Sequence, residues 1–199
     1  ALPIYNRFFF DGDRLLNASI DYSFIWRNFN FFGETAVSDN GAVATINGLL
    51  LGLDRRVDFS VLHRYFPRDY QALNANPFAE TRGARNENGL YLGLEMRPIS
   101  GFTLAGYFDI YRHPWLRFQS DAPSLGHEWR VRLTYYKQRK LEAYLQVRQE
   151  TKEQNAPGNP TKTDFLLPNR LFQFRLHVAH TVRKGLELRS RMDYGFTDD

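Results

Sequence analysis

The chain has 199 residues, 43% apolar and 16% aromatic, enough for one domain, or part of a larger one, with a buried face. A net charge of +4 and a pI near 9.4 permit acidic partners without demanding nucleic acid, and the absence of cysteine removes disulfides and thiolate metal sites. No apolar run approaches the ~18 residues of a membrane-spanning helix, the longest being around Leu49–Leu51, and a mean hydropathy of −0.50 leaves a strand barrel open because half of each strand is polar.

The opening ALPIYNRFFFDGD has no basic start, apolar core or small-residue cleavage site, so the signal of an exported protein would lie outside this segment. Alternating apolar and polar residues then predict strands near 14–26, 29–38, 42–54, 57–66, 89–97, 102–112, 127–136, 141–150, 170–182 and 186–196. Their lengths match the ~9 to 11 tilted residues that cross a bilayer and exceed the ~5 to 6 of ordinary strands. Connections alternate between tight turns, such as Arg27-Asn28 and Arg183-Lys184-Gly185, and long segments at 67–88, 113–125 and 151–169; Asp39-Asn40-Gly41 is the short exception. The segment at 67–88 mixes aromatics with charges and is expected to fold over a barrel mouth, whereas TKEQNAPGNPTKTD, at 151–164, is polar, Pro/Gly-rich and expected to be mobile.

The fold predicted is all-β, an antiparallel up-and-down meander of about ten long strands forming part of a transmembrane β-barrel. With tight turns on the periplasmic side, both ends of the segment fall outside the cell. Bacterial barrels begin and end in the periplasm, so at least one further strand is expected at each end, in a barrel of about twelve strands or more.

One phase is apolar: Leu90, Leu92, Leu94, Met96; Phe102, Leu104, Phe108, Ile110; Trp129, Val131, Leu133, Tyr135; Phe172, Phe174, Leu176, Val178; Leu186, Leu188, Met192, Tyr194, Phe196. The opposite phase carries charge and tyrosine, and from it Arg97, Asp109, Arg130, Arg132, Arg148, Arg175, His177, Arg189 and Arg191 are the candidate lumen-lining residues. Periodicity alone does not choose between this arrangement and a soluble barrel or sandwich with the apolar face inside. Strand length, loop asymmetry, and aromatics near strand ends (Trp26, Phe29, Tyr65, Phe66, Phe102, Tyr135, Tyr136, Phe196) favour the membrane. The interior charges either satisfy one another across neighbouring strands or form an arginine track for anionic solutes, diluted by Glu128, Glu142, Glu150, Glu187 and Asp193.

Little in the chain points to chemistry. His177 and His180 face opposite sides of a strand, and neither a metal site nor a cofactor is expected. Asp109, His113 and His127 could meet at the barrel rim, but no nucleophile stands at a recognisable spacing from a base, so no enzymatic activity is predicted. Three readings result: an outer-membrane channel or translocation scaffold in contact with lipid, a soluble or surface β-sheet module that holds a ligand in its loops, and a rim enzyme.

The strand NGLYLGLEMRP, the run FDIYRHPWLRF and the segment DAPSLGHEW resemble the barrel region of a family of Bacteroidota outer-membrane proteins with a helix-hairpin-helix segment. The resemblance runs from about Tyr22 onward. It implies an outer-membrane location in a Gram-negative cell, and DNA contact through the helix-hairpin-helix unit of the full-length protein. This chain holds no such helical pair, so DNA binding passes to none of its residues; DNA or an anionic solute remains a partner only of the whole protein.

Overall fold

The computed structural model describes residues 3–81, 83–138, 140–156 and 165–198. Its ten strands are β1 (Asn17–Trp26), β2 (Phe29–Ser38), β3 (Val43–Asp54), β4 (Val57–Phe66), β5 (Glu87–Met96), β6 (Phe102–His113), β7 (Ser124–Lys137), β8 (Leu141–Asn155), β9 (Leu166–Arg183) and β10 (Leu186–Asp198). They form one antiparallel sheet in chain order, β1 through β10, with β1 and β10 each paired on one side only. The all-β meander is therefore as expected. A single 3-10 turn at Ile4–Asn6 precedes it, and no helix among the described residues is long and apolar enough to cross a membrane, which says nothing of strands.

Turns of two to five residues join the strands at one end, and Arg27, Gly101 and Gly185 there take positive φ. The β2–β3 turn, the segments 67–86 and 114–123, and the adjoining ends of β8 and β9 lie at the other end, the mouth. Three strands run at least three residues further toward the mouth than alternation indicated: β7 starts at Ser124, β8 reaches Asn155 and β9 starts at Leu166. The polar residues 151–155 were expected in a mobile loop but pair with 166–170 as strand, because backbone pairing continues past the point where apolar side chains stop. The rest of that Pro/Gly-rich stretch, 157–164, lies outside the described residues.

Directly paired residues share a face, so the register sorts the side chains. On β5–β8 the apolar phase is exposed and the charged phase covered: Phe108 is 41% exposed and Val131 44%, beside Asp109 at 8% and Glu128 at 7%. Of the strand-end aromatics, Trp26, Phe29, Phe102 and Tyr135 share the apolar face near the tight turns and Tyr65 lies on it near the mouth, whereas the register turns Phe66 and Tyr136 to the polar face. Segregation is weaker on β1–β4. There Phe32, Ile46 and Leu62 belong to the polar-face phase, while Thr35, Thr45 and Asn47 form a hydrogen-bonded polar island with Tyr22 on the other.

The only cluster of buried apolar side chains among the described residues sits at the mouth, where segment 67–86 lays Tyr70 and Ala84 on Ala42, Ala44 and Phe66. A second close approach fixes β6 against β7. Tyr111, 2% exposed, lies across Gly126, and a β-carbon there would come within 2.4 Å of its ring. Gly126→Ala is therefore expected to lower unfolding stability by about 1–3 kcal/mol, as overpacking does. Gly195→Ala, whose β-carbon meets nothing closer than 3.4 Å, is expected to change it by less than ~0.5 kcal/mol. Denaturant titration of both variants checks the difference.

Candidate functional site

The polar face is ordered in layers set by strand register. Just below the mouth-end pairs Phe66–Glu87 and His113–Ser124, Arg64, Gly89, Tyr111, Gly126 and Lys152 pair in sequence across β4–β8. The next row is Leu62, Tyr91, Asp109, Glu128 and Glu150, and the one below it Ser60, Gly93, Tyr107, Arg130 and Arg148. An acidic row thus lies between two basic ones, so that neighbouring rows neutralise each other over short diagonals.

Arg64 is the centre of the upper rows. It has no solvent exposure, donates from Nε to Glu87 at 2.5 Å, and grips Asp109 with both terminal nitrogens at 2.9 and 3.1 Å. The guanidinium reaches there by lying over Gly89, where a β-carbon would come within 2.5 Å of Cζ. Glu87, equally buried, accepts hydrogen bonds from the backbone N–H groups of Glu80 and Thr81 and from the Thr81 hydroxyl. One ion pair therefore fastens segment 67–86 to the sheet. Phe78 of that segment packs edge-on against Tyr91, 5.3 Å between centroids, and under the Arg64 guanidinium at 5.4 Å.

The same segment reaches across to β8, where Lys152 bridges Glu80 at 2.6 Å and Glu150. Burial holds the Glu80 carboxyl above the usual carboxylate range, outweighing the Lys152 ammonium, with Glu150 and Glu128 adding to the rise. Carboxylate oxygens of Glu80, Glu128 and Glu150 lie within 4.8 Å of one another. Their charge is taken up by Lys152 and by Arg148, which donates to Glu128 at 2.5 Å and Glu150 at 3.1 Å, so they form a cross-brace rather than a free ligand set.

A third tie closes the mouth. Asn86, at φ 54 in the left-handed region that asparagine tolerates, brackets Trp115 by donating to its carbonyl at 2.9 Å and accepting from its N–H at 2.7 Å. The Asn86 carbonyl meets Nδ1 of buried His113 at 2.8 Å. Outside this, Phe8 packs on Trp115 and Arg68 lies over both rings, at 4.6 and 5.0 Å, so the segment before β1 covers the mouth loops. Burial holds the Arg85 and Arg117 guanidiniums of these loops below their ordinary range.

The candidate residues from the sequence divide by partner. Arg148 and Asp109 belong to the layered core just described. Arg97, at the turn end of β5, pairs with Asp58 and Glu95, Arg175 and Arg191 with Asp193, and Arg189 with Glu187; these four are well exposed. His177 stacks on Tyr144 at 4.9 Å. Arg130 and Arg132 have no carboxylate partner among the described residues; they lie over Tyr107 at 4.7 Å and Tyr144 at 4.5 Å, and Arg132 donates twice to Gln146.

The rim trio does not form: Asp109 pairs with Glu128 on the polar face, whereas His127 pairs with Ile110 on the apolar face and stacks on Phe108. Arg64, Glu80, Glu87 and Lys152 escaped the sequence reading because they lie at strand ends or in a loop, where alternation carries no signal.

No family model matches the chain, and no curated protein matches it. Among solved structures it is similar to the porin NanC in a rhombohedral crystal form, at 13% identity over 92% of this chain and 93% of that one, with a TM-score of 0.38.

Replacing Arg64 by Ala leaves Glu87 and Asp109 buried without a counter-charge, and the expected loss of stability is about 3–5 kcal/mol. Limited proteolysis should then cut within 67–86 faster than in the parent protein. An Arg64→Ala variant with parental denaturation midpoint and cleavage rate would show that the ion pair does not hold the segment.

Proposed function

We propose that this chain is part of the wall of an outer-membrane β-barrel that acts as a solute channel, narrowed at its mouth by its own 67–86 segment. The observation that carries the reading is the inverted burial of β5–β8: apolar Leu90, Leu94, Phe108, Ile110, Val131, Leu133 and Leu145 are exposed, while Asp109, Glu128, Gln146 and Glu150 are buried. A water-soluble sheet of this length would cover that apolar face, since exposed apolar patches beyond a few hundred Å² mark contact with lipid or a partner. Lipid at the apolar face satisfies the order as it stands, and an aromatic group at the turn end (Trp26, Phe29, Phe102, Tyr135) suits a headgroup boundary.

The polar face is then the lumen side, with Arg97, Asp109, Arg130, Arg132, Arg148, Arg175, His177, Arg189 and Arg191 on or bordering it. Segment 67–86 leaves β4, docks by Glu87 and crosses to Lys152 on β8, a lateral reach of about 14 Å at ordinary strand spacing. That constricts the passage without filling it. The unpaired edges of β1 and β10 find their partners in further strands, one or more at each edge, in a barrel of about twelve or more. No catalytic step belongs to this reading, because Asp109 is engaged by Arg64 and His127 faces the other way.

Lipid contact distinguishes the two faces in a direct way. Val131→Arg, in the middle of the apolar band of β7, is expected to cost roughly 2–4 kcal/mol in the folded protein reconstituted into bilayers, while Thr134→Arg on the polar face costs less than about 1 kcal/mol. Recovery of the full-length parent in the soluble fraction after membrane separation, or equal tolerance of both arginines, would sink the barrel reading.

A further inference from the structure

The lumen side carries a pair of cations that find no counter-charge among the described residues of the sheet. Arg130 stands directly across the strand pair from Arg148, an arrangement of like charges that is unfavourable by itself. Arg148 is compensated, since it donates to Glu128, Glu150 and Gln173. Arg130 donates to no protein acceptor among the described residues and rests on the Tyr107 ring. Arg132, two residues along the same face and about 7 Å away at the backbone, gives Nε and Nη2 to a single oxygen of Gln146, at 3.0 and 2.5 Å. Of its five N–H groups three remain.

Both guanidiniums border a cavity of about 560 Å³ below the docked segment. Ile25 and Leu50 give it an apolar wall, and Tyr91 and Tyr107, tilted together at 5.2 Å between centroids, give it a flat aromatic one. The carboxylates that border it, Asp58 and Glu95, are both turned to Arg97. A cationic side, a ring side and an apolar side meet in one space.

We infer that Arg130 and Arg132 form a binding site for a small organic carboxylate whose body presents a ring or other flat apolar face to Tyr91, Tyr107 and Leu50. Two parallel N–H donors of a guanidinium match the two oxygens of a carboxylate, and such charge-assisted bonds are strong where water is scarce. The inorganic anions would meet the same two arginines but leave the apolar wall uncovered. The site deepens the channel reading, on which it rests for the route by which solute arrives.

The test uses the full-length protein in detergent, titrated calorimetrically with benzoate and with its uncharged counterpart benzamide. Benzoate is expected to bind at least about tenfold more tightly than benzamide, and R130Q/R132Q to weaken benzoate at least about tenfold, with R130K/R132K in between and R189Q, on β10 and away from the cavity, unchanged. If the double glutamine variant does not fold, R130Q and R132Q singly are each expected to weaken benzoate by more than about threefold. Benzoate that does not bind, binds no better than benzamide, or is indifferent to the arginine replacements overturns the site.

Conductance of the same preparation in planar bilayers separates this from the channel reading. Binding without conductance would leave the site and remove the channel. Conductance without benzoate binding would do the reverse.

Discussion

A guanidinium with no access to solvent is costly unless every charge and donor near it is answered, and Arg64 sets the terms for the mouth of this sheet. Its two carboxylates come from different strands, Glu87 on β5 and Asp109 on β6, and one of them also binds two loop amides. Nothing in that arrangement can be moved alone. Gly89 must lack a side chain for the guanidinium to cross β5, and segment 67–86 must stay docked for Glu87 to keep its backbone donors. Hydrophobic burial cannot do this work, since the apolar core at the mouth consists of a few alanines with Phe66 and Tyr70. The buried charge pairing of Arg64 with Glu87 and Asp109 therefore specifies the conformation of the mouth, at a desolvation cost that makes each partner indispensable.

Below that point the same logic repeats in weaker form. Alternating basic and acidic rows give Asp109, Glu128 and Glu150 a cation on a neighbouring row, and bridging residues such as Arg148 and Lys152 serve two acids each. Such rows hold neighbouring strands in register, because a slip of one residue would send every charge to the apolar face. Toward β9 and β10 the pairs Arg175–Asp193 and Arg189–Glu187 are exposed to solvent and contribute little. Rigidity in the wall is thus concentrated on β4–β8, under the docked segment.

How much of this was legible depended on the kind of signal. Alternation located all ten strands and separated Val131 and Leu133 from Arg130 and Arg132, because period-two patterning is a local property. It failed where pairing outlasts apolar character, as at Thr151–Asn155, and where neither face is purely one kind, as on β3, with Ile46 turned inward and Asn47 outward. Loop docking was expected from aromatics among charges, but its fastening points, Glu80 and Glu87, follow from three-dimensional proximity to Lys152 and Arg64. The quoted motifs have a physical reading here. Their Gly89, Asp109, His113, Trp115, Ser124, Gly126 and Glu128 fall in or beside the buried polar mouth, so they carry packing and charge pairing rather than chemistry.

Register also decides which of the candidate arginines find a carboxylate within the sheet. A list of basic residues on one face suggests a continuous cationic track, yet five of the candidates, Arg97, Arg148, Arg175, Arg189 and Arg191, hold carboxylates of their own strand or the next. Compensation depends on which residues stand diagonally across a strand pair, and that is fixed by turn lengths and by the register shifts near Gly52 and Leu186. Once those are set, the acids of the middle row are committed to Arg64, Arg148 and Lys152. What is left over is local: Arg130 and Arg132, side by side on β7 and facing a mixed apolar and aromatic space. On the proposed channel reading, selectivity is then decided less by total charge than by the few charges that folding does not use.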